Sequence, residues 1–248
     1  MIIIKSSDEI KRIREAGKIV GTAIKKIENL IEPGMTTAEI DDIVQSTITK
    51  MGGRPAFKGY RGFPASACVS VNEEVVHGIP GSRKIRSGDI VGIDVGVEYQ
   101  GCYADAAATF PVGKISEQAS TLINVTRKAL SAGIEKCVVG NKLYDISHAI
   151  QKVVENAGFS IVRDFVGHGV GLKLHEDPPI PNYGLPNRGP TLKKGMVFAI
   201  EPMVNMGNYS VKILKNNWTV VTCDGSLSAH FEHTVVITPE GSDILTFW

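Results

Sequence analysis

The sequence has no hydrophobic run long enough to cross a membrane, and its charge favours neither sign. Its longest apolar runs are short, strand-like segments, whereas a transmembrane helix needs about 20 consecutive apolar residues. The 27 basic and 26 acidic residues nearly cancel, so the charge does not indicate binding to DNA or to an anionic membrane. The 248 residues are enough to bury a large core.

Cysteine is also scarce, and no two cysteines form a CxxC pair. The four thiols stand far apart in the chain, at Cys68, Cys102, Cys137 and Cys223. Widely spaced single cysteines are typical of reduced thiols in a cytosolic protein. The opening segment has only three isoleucines before charged residues return, which is shorter than the apolar core of a signal peptide. We therefore expect a cytoplasmic protein.

Two acids stand in an otherwise apolar stretch near the middle of the chain. The β-branched run over 90–97 predicts a buried strand with Asp94 at its centre, and a second strand over about 102–112 carries Asp105. If the two strands form a tight hairpin, Asp94 faces Ala107, and Asp105 lies two residues further along on the same face. The two acids are then diagonal neighbours with backbones about 7–8 Å apart.

Two interpretations of this hairpin are open at this point. In the first, one acid caps a turn and the other pairs with an arginine or lysine. In the second, both carboxylates bind a cation, which offsets the cost of burying two like charges next to each other.

Two pairs of helices are predicted, and each pair precedes a set of strands. Capping boxes at Ser6–Glu9 and Thr36–Glu39 mark the starts of the first pair. Apolar residues at helical spacing predict the second pair over about 116–137 and 143–157. Strands are expected over 161–166, 196–204 and 229–237, the last two carrying Glu201 and Glu232.

An internal repeat relates the two halves of the chain. A shift of 106 residues places 34–52 on 140–158, and a shift of 107 places Asp94 on Glu201. After an insertion in the second copy, Asp105 matches Glu232. We predict an α+β protein with one catalytic domain, 1–248. Its two helix-helix-strand halves, approximately 1–113 and 114–248, are related by a pseudo-twofold axis around a mixed, mostly antiparallel curved sheet.

The predicted axis brings the four carboxylates together, and His168 lies near them within the glycine-rich sequence GHGVG. Four negative charges in one place indicate more than one divalent cation. An oxygen-rich site with one imidazole suits Mn, Fe, Co or Zn rather than a thiolate-bound structural zinc. Four separate acids with four basic partners are the alternative, but basic residues are scarce near each acid in the sequence. We therefore expect a two-metal site, with ions about 3.5–4 Å apart.

Six motifs extend this interpretation over essentially the whole chain: VNEEVVHGIP at 71–80, GIDVG, YADAA, GHGVGLKLHEDP at 167–178, AIEPM and FEHTVVIT. In order and spacing they resemble the methionine aminopeptidases of the bacterial, type I class of peptidase family M24. The resemblance implies the pita-bread fold and a metal-dependent enzyme that removes the N-terminal methionine from nascent proteins and peptides, with a preference for a small second residue. It also implies five ligands for two divalent ions of the Co, Mn, Fe, Zn or Ni class: Asp94, Asp105, His168, Glu201 and Glu232.

The resemblance also implies roles for residues around the metals. His77 and His175 face the substrate and act in catalysis without binding metal, and Glu201 accepts the proton of the attacking water. The pocket for the methionine side chain is expected to include Tyr60, Phe63, Cys68, Leu174 and Trp218, together with the two substrate-facing histidines. Some relatives have an aromatic residue in place of Leu174 and a cysteine in place of Phe57, so the shape of this pocket stays open.

A proline-specific peptidase of the same fold is the alternative function, although such enzymes usually carry an additional N-terminal domain. A non-catalytic binding module is disfavoured because all five ligands are present, and hydrolysis of a Met-Ala-Ser peptide would distinguish a hydrolase of non-peptide substrates. We expect a monomer that acts on nascent chains, with transient ribosome association and no contact with DNA or membranes. His148 and His230 are interpreted as surface or core histidines, and His233 as pointing to the opposite strand face.

Overall fold

The computed structural model describes residues 2–248. Within this range the chain forms four helices: α1 Ser7–Leu30, α2 Thr37–Lys50, α3 Glu117–Ile134 and α4 Leu143–Asn156. Both predicted capping boxes are present, since Ser6 and Thr36 each accept a backbone N–H three residues on and their glutamate partners accept in return. No helix within residues 2–248 combines the length and apolar character that crossing a bilayer requires.

The strands belong to one large sheet and two small ones. In chain order they are β1 Arg54–Pro55, β2 Ala67–Val71, β3 Glu74–Val76, β4 Ile90–Tyr99, β5 Cys102–Pro111, β6 Ser160–Ile161, β7 Gly167–Gly169, β8 Glu176–Ile180, β9 Val197–Ile200, β10 Met203–Asn205, β11 Val211–Ile213, β12 Val220–Thr222, β13 Ser228–His230, β14 Glu232–Thr238 and β15 Gly241–Ile244. The nine-stranded sheet has the order β1-β4-β5-β14-β9-β7-β8, with β2 also on β4 and β15 on β14. Helices and this antiparallel sheet confirm the predicted α+β class.

The hairpin of β4 and β5 lies at the centre of the sheet and has the predicted register. It turns at Gln100 and Gly101, which both adopt positive φ, and Asp94 pairs with Ala107. Helix α1 packs on both strands through fully buried residues such as Ile13 and Ile24. The hairpin is therefore held rigidly between its neighbouring strands and a helix.

Helices α2 and α4 have matching bounds in the two halves of the chain. Each contains 14 residues, and Thr37–Lys50 plus 106 gives Leu143–Asn156. An isolated bridge joins Thr36 to Lys84 in the first half, and its counterpart joins Lys142 to Thr191 in the second. These matches support the predicted repeat, while the pseudo-twofold axis itself stays a prediction.

Two expected strands are interrupted beside acidic residues. The segment 196–204 breaks after Ile200, so Glu201 and Pro202 lie between β9 and β10, and 229–237 breaks at Phe231 between β13 and β14. Proline cannot donate to a strand ladder, which explains the first interruption. The expected strand over 161–166 is also shorter, because only Ser160–Ile161 pairs before β7 begins at Gly167.

Candidate active site

Three acids lie on one face of the central sheet because of the register of its strands. Asp94 of β4 pairs with Ala107 of β5, and Ala107 also pairs with Glu232 of β14. Asp105 is two residues from Ala107, so alternation places its side chain on the same face. The strand pairing therefore brings together two acids from the first half of the chain and one from the second.

An imidazole and a fourth acid complete this cluster. Asp105, His168 and Glu232 each offer a ligand atom, and these atoms lie within 4.8 Å of one another. His168 Nε2 is 3.5 Å from Asp105 Oδ2 and 3.5 Å from Glu201 Oε1. All four, together with Asp94, line one cavity of about 590 Å³. The structure thus places all five expected ligands around one space.

The tautomer of His168 follows from its other ring nitrogen. Nδ1 is 3.0 Å from the carbonyl oxygen of Gly169, an acceptor, so Nδ1 carries the proton and donates. Nε2 is then left with its lone pair facing Asp105 and Glu201. This is the usual arrangement of a histidine that binds a metal through one nitrogen and is oriented through the other.

Burial and mutual repulsion strongly disfavour ionised carboxylates at this place. Burial, with added repulsion from neighbouring carboxylates, raises the pKa of Asp94 and of Glu201 to about 8. Burial also raises the pKa of Asp105 and of Glu232, the latter with added repulsion from the other three acids. Within residues 2–248 no lysine or arginine forms an ion pair with any of the four, so the interpretation in which each acid has a basic partner does not hold.

The donor atoms present fit divalent metal ions. Asp94 Oδ1 is buried and has no hydrogen-bond partner within the described chain, and an acceptor in this position needs a cation or a donor. Asp105 is held from behind by Thr234, whose hydroxyl lies 3.1 Å from Asp105 Oδ1. Carboxylate oxygens with a single imidazole suit ions of the Mn, Fe, Co or Zn type.

His77 and His175 line the same cavity. His77 makes edge-on ring contacts with Phe165 at 5.6 Å and Trp218 at 6.1 Å, and burial lowers its pKa to about 4. His175 stacks on Tyr60 at 5.2 Å, and its Nδ1 is 3.1 Å from the Tyr60 hydroxyl. Desolvation and the nearby imidazole of His168 lower the pKa of His175. Both imidazoles are therefore neutral at pH 7, and each can offer one N–H.

An apolar, aromatic wall adjoins the acids. Phe63 and Cys68 are buried together, with Phe57 and Trp218 packed against them, and the rings of Phe63 and Trp218 meet edge to face at 5.1 Å. All four residues line the cavity that contains the acids. A long, unbranched, apolar side chain fits such a space.

Leu174 lies elsewhere. It is buried, but it lines a neighbouring cleft with Tyr60 and His175 rather than the cavity of the acids. The structure therefore brings Tyr60, Phe63, Cys68 and Trp218 together, with Phe57 beside them and Leu174 behind.

His230 is a site residue that sequence reasoning missed. It is only 4% exposed, its Nε2 is 3.6 Å from Glu201 Oε2, and that nitrogen has no hydrogen-bond partner within residues 2–248. Its position two residues before Glu232, within the strand expected over 229–237, was the available signal. His233 points the other way, as predicted, and its Nδ1 is 3.0 Å from the Thr246 hydroxyl.

Comparisons with known proteins agree with this geometry. The chain matches metallopeptidase family M24 over residues 11–239. It is 57% identical over 246 residues to a methionine aminopeptidase of Clostridium perfringens, covering 99% of each chain. The crystal structure of a methionine aminopeptidase from Thermotoga maritima matches with a TM-score of 0.98 and 49% identity over 100% of both chains.

A more distant structure separates the fold from the function. A prolidase from Pyrococcus furiosus matches with a TM-score of 0.82 and 25% identity, over 99% of this chain and 66% of the prolidase. Together with the Thermotoga structure, this match confirms the predicted pita-bread fold. The higher identity and full mutual coverage favour the methionine aminopeptidases over the proline-specific enzymes.

Proposed function

This chain belongs to the methionine aminopeptidases of metallopeptidase family M24, and from that premise we propose the roles of its residues in releasing the first methionine of a polypeptide. The observation that carries the proposal is the convergence of four buried acids and His168 beside an apolar, aromatic wall in one cavity. The acids supply the reaction centre, and the wall supplies a place for the methionine side chain.

Asp94, Asp105, His168, Glu201 and Glu232 would hold two divalent ions, with Asp105 and Glu232 as the shared acids. The resemblance of the motifs implies the shared role of Asp105 and Glu232, and one ligand atom of each lies within 4.8 Å of the other and of a ring nitrogen of His168. When bound, the ions would lower the pKa of water to generate the nucleophile and would polarise the scissile carbonyl. Cobalt, manganese, iron, zinc and nickel all fit the donor set.

Glu201 is the residue that we assign as general base. Its carboxylate lies at the open end of β9 and is accessible from the cavity. It would take the proton of the attacking water and pass it to the leaving amine. Asp105 and Glu232 are more deeply buried and are less accessible to that water.

His175 and His77 would act on the peptide group itself. Tyr60 occupies Nδ1 of His175, so the opposite nitrogen faces the cavity, where its N–H can stabilise the developing oxyanion. His77, held between Phe165 and Trp218, would contact the amide around the scissile nitrogen. Both contacts gain strength as charge develops, so they contribute to kcat rather than to substrate affinity.

The side-chain pocket and its surroundings set the specificity. Phe63, Cys68 and Trp218 would contact the thioether chain, with Tyr60 and the two histidines closing its sides, whereas Leu174 lies outside this pocket in the neighbouring cleft. The preference for a small second residue is proposed from the resemblance of the sequence motifs. A proline-specific peptidase is the alternative; the match to prolidase, over 66% of that enzyme, supports it less than the full-length matches support methionine release.

The cellular setting is also a proposal. We place the reaction in the cytoplasm, on nascent chains, with a monomeric enzyme that contacts the ribosome only transiently. The four free cysteines support a reducing compartment. Sedimentation of the purified enzyme, alone and with ribosomes, tests the monomer and the transient contact together.

The main experiment tests metal dependence and the acids. Chelation should abolish release of methionine from Met-Ala-Ser, and Co²⁺, Mn²⁺ or Fe²⁺ should restore it. Asp105→Asn removes a central carboxylate and should lower kcat by orders of magnitude with the fold retained, whereas the exposed Asp8→Asn serves as the matched control and should behave as wild type. Full activity in the chelated enzyme, or cleavage only of substrates with proline in the second position, would overturn the proposal.

Metal analysis of histidine variants distinguishes the proposed metal ligand from the two proposed substrate-facing residues. His168→Ala should bind less metal, whereas His77→Ala and His175→Ala should keep near-normal metal content and lose kcat. A metal-poor His175→Ala with a metal-replete His168→Ala would exchange the two assignments.

A further inference from the structure

His230 places a ring nitrogen without a hydrogen-bond partner next to Glu201, one of the four acids. Burial of the residue is nearly complete, with 4% of its surface exposed, and its Nε2 has no hydrogen-bond partner within residues 2–248. A buried ring nitrogen without a partner costs free energy, so a residue in this state usually has a role in the site it faces.

The backbone of His230 is fixed with respect to Glu201. In β13 it pairs with Met203 of β10, and Met203 follows Glu201 by two residues. The His230 N–H donates to the Thr109 hydroxyl at 2.9 Å, and that hydroxyl donates to the His230 carbonyl at 2.9 Å. The imidazole therefore stands on a rigid, buried platform, as a residue that orients another must.

The Glu201 carboxylate lies between two imidazoles. Its Oε1 is 3.5 Å from His168 Nε2, and its Oε2 is 3.6 Å from His230 Nε2. The next residue cannot donate a backbone hydrogen bond to the Glu201 carboxylate, because Pro202 has no N–H. Among the described residues, no backbone N–H or hydroxyl donates to this carboxylate, and Asn182 contacts only the Glu201 backbone carbonyl.

We propose that His230 is a positioning residue: its Nε2–H donates to Oε2 of Glu201 and so directs Oε1 towards the reaction centre. A closure of roughly half an ångström brings the 3.6 Å separation into the range of a hydrogen bond. This inference rests on the proposed roles of Glu201 as ligand and base. His230 itself touches neither substrate nor the reacting atoms.

The test compares a variant that lacks the donor with one that keeps it. His230→Leu fills the space without an N–H, and His230→Gln retains an amide N–H at a similar reach. The readouts are the affinity for Mn²⁺ by calorimetry, the absorption spectrum with Co²⁺, and kcat and KM on Met-Ala-Ser. His148→Leu, at a histidine on α4 away from the acids, is the matched control.

The expected result is a loss of about 10–100-fold in metal affinity and in kcat for His230→Leu, the usual effect of removing a partner that orients a ligand. KM should change little, and His230→Gln should stay within about threefold of wild type with an unchanged Co²⁺ spectrum. If His230→Leu does not fold, His230→Asn replaces it, because its shorter amide stops short of Glu201.

Three outcomes overturn the inference. Wild-type Mn²⁺ affinity and kcat in a folded His230→Leu would remove His230 from the site. Equal losses in His230→Leu and His230→Gln, with a changed Co²⁺ spectrum, would make His230 a direct ligand instead. Equal losses with no spectral change would reduce it to a packing residue. A wild-type enzyme that neither binds Mn²⁺ nor releases methionine would instead contradict the proposed function itself.

Discussion

Single hydrogen bonds decide which nitrogen each histidine presents to the cavity. The Gly169 carbonyl accepts the Nδ1–H of His168, whereas the Tyr60 hydroxyl can donate to Nδ1 of His175 and leave the proton on its other nitrogen. The two rings are only 4.3 Å apart, yet one turns a lone pair towards the acids while the other can offer an N–H. At the residue scale, the partner behind the imidazole therefore separates a ligand from a substrate-facing group.

Tyr60→Phe tests this separation at His175. The ring stack is kept and only the hydroxyl is lost, so the fold and metal content should stay normal. Loss of one hydrogen bond, about 0.5–1.5 kcal/mol, should lower kcat roughly twofold to tenfold with little change in KM. Steady-state kinetics on Met-Ala-Ser and metal analysis check this result. A metal-depleted Tyr60→Phe would show that the tyrosine supports the metal site instead.

The ring of Phe57, in the wall of the cavity, packs directly against the backbone of Gly96. A Cβ at position 96 would lie 2.4 Å from Phe57 Cε1, which is too close for any real contact. Gly96→Ala should therefore displace the Phe57 ring and lower kcat/KM for methionine substrates by about tenfold, roughly the effect of one misfitting methylene group.

A double-mutant cycle distinguishes this steric cause from a backbone effect. In a Phe57→Ala background the added methyl group at position 96 meets open space, so Gly96→Ala should cost little there. Equal costs in both backgrounds, measured by kcat/KM and by the free energy of unfolding, would mean that glycine is needed for its strand geometry rather than for the ring.

The sequence indicated a role for the acids but not for His230, because burial costs a carboxylate much more than it costs a neutral imidazole. A carboxylate in a β-branched strand is conspicuous because its burial is costly, so Asp94 and Asp105 point to a cation from their position alone. A histidine near the end of a strand is common in cores, so its spacing to Glu232 alone does not identify a site residue, and the 3.6 Å between His230 Nε2 and Glu201 Oε2 does.

At the scale of elements, the regular structure was predictable and its interruptions were not. Both capping boxes and the hairpin register follow from local sequence. The breaks at Glu201–Pro202 and at Phe231 depend on tertiary pairing, because β13 leaves the large sheet to pair with β10 before β14 returns to it. These breaks place Glu201 at the end of a strand, where its carboxylate reaches the cavity.

The loop that carries His175 is tethered by a buried ion pair from the start of the chain. Lys5 Nζ is 2.5 Å from Glu176 Oε2, with both side chains almost fully buried. Glu176 also accepts the backbone N–H groups of Leu172 and Lys173. The segment before α1 therefore fixes the conformation of an active-site loop more than 160 residues away in the sequence.

Lys5→Met tests this tether. Removing one partner leaves a buried charge uncompensated, so the free energy of unfolding should fall by about 3–5 kcal/mol. Since His175 adjoins Glu176, kcat should fall as well, with metal content retained. The control is Lys11→Met, whose exposed pair with Asp8 should contribute less than about 1 kcal/mol. Denaturant unfolding and kinetics measure both effects, and equal results for the two variants would contradict the tether.

At the scale of the whole molecule, each half of the chain contributes two buried acids to the same site, where the four carboxylates repel one another. Asp94 and Asp105 come from the first half, and Glu201 and Glu232 come from the second. The large apolar core around them has to overcome this repulsion before any metal binds. The fold therefore trades stability of the metal-free protein for a preorganised set of ligands.

The repulsion among the acids predicts that the free energy of unfolding changes with pH in opposite directions in the metal-free and the metal-bound protein. In the stripped protein the pKa values of Asp94 and Glu201 are about 8, above the unfolded values near 4. The folded state then binds more protons than the unfolded state between these limits, so these acids reduce stability as pH rises from about 4 to about 8. Metal ions reverse the trend, because they bind the deprotonated acids.

The order of stability of Glu201→Gln and the wild type should therefore reverse when metal binds. Without metal at pH 8, its free energy of unfolding should exceed that of the wild type by about 1–3 kcal/mol, and the advantage should shrink towards pH 5 as the wild-type acid becomes protonated. With saturating Mn²⁺ the wild type should be the more stable, since the variant has lost a ligand. Urea unfolding at both pH values, with the exposed Glu135→Gln as control, measures the effect. A Glu201→Gln that is less stable than the wild type in the stripped protein at pH 8 would show that its carboxylate already has a compensating partner, and the metal would then not be needed to balance it.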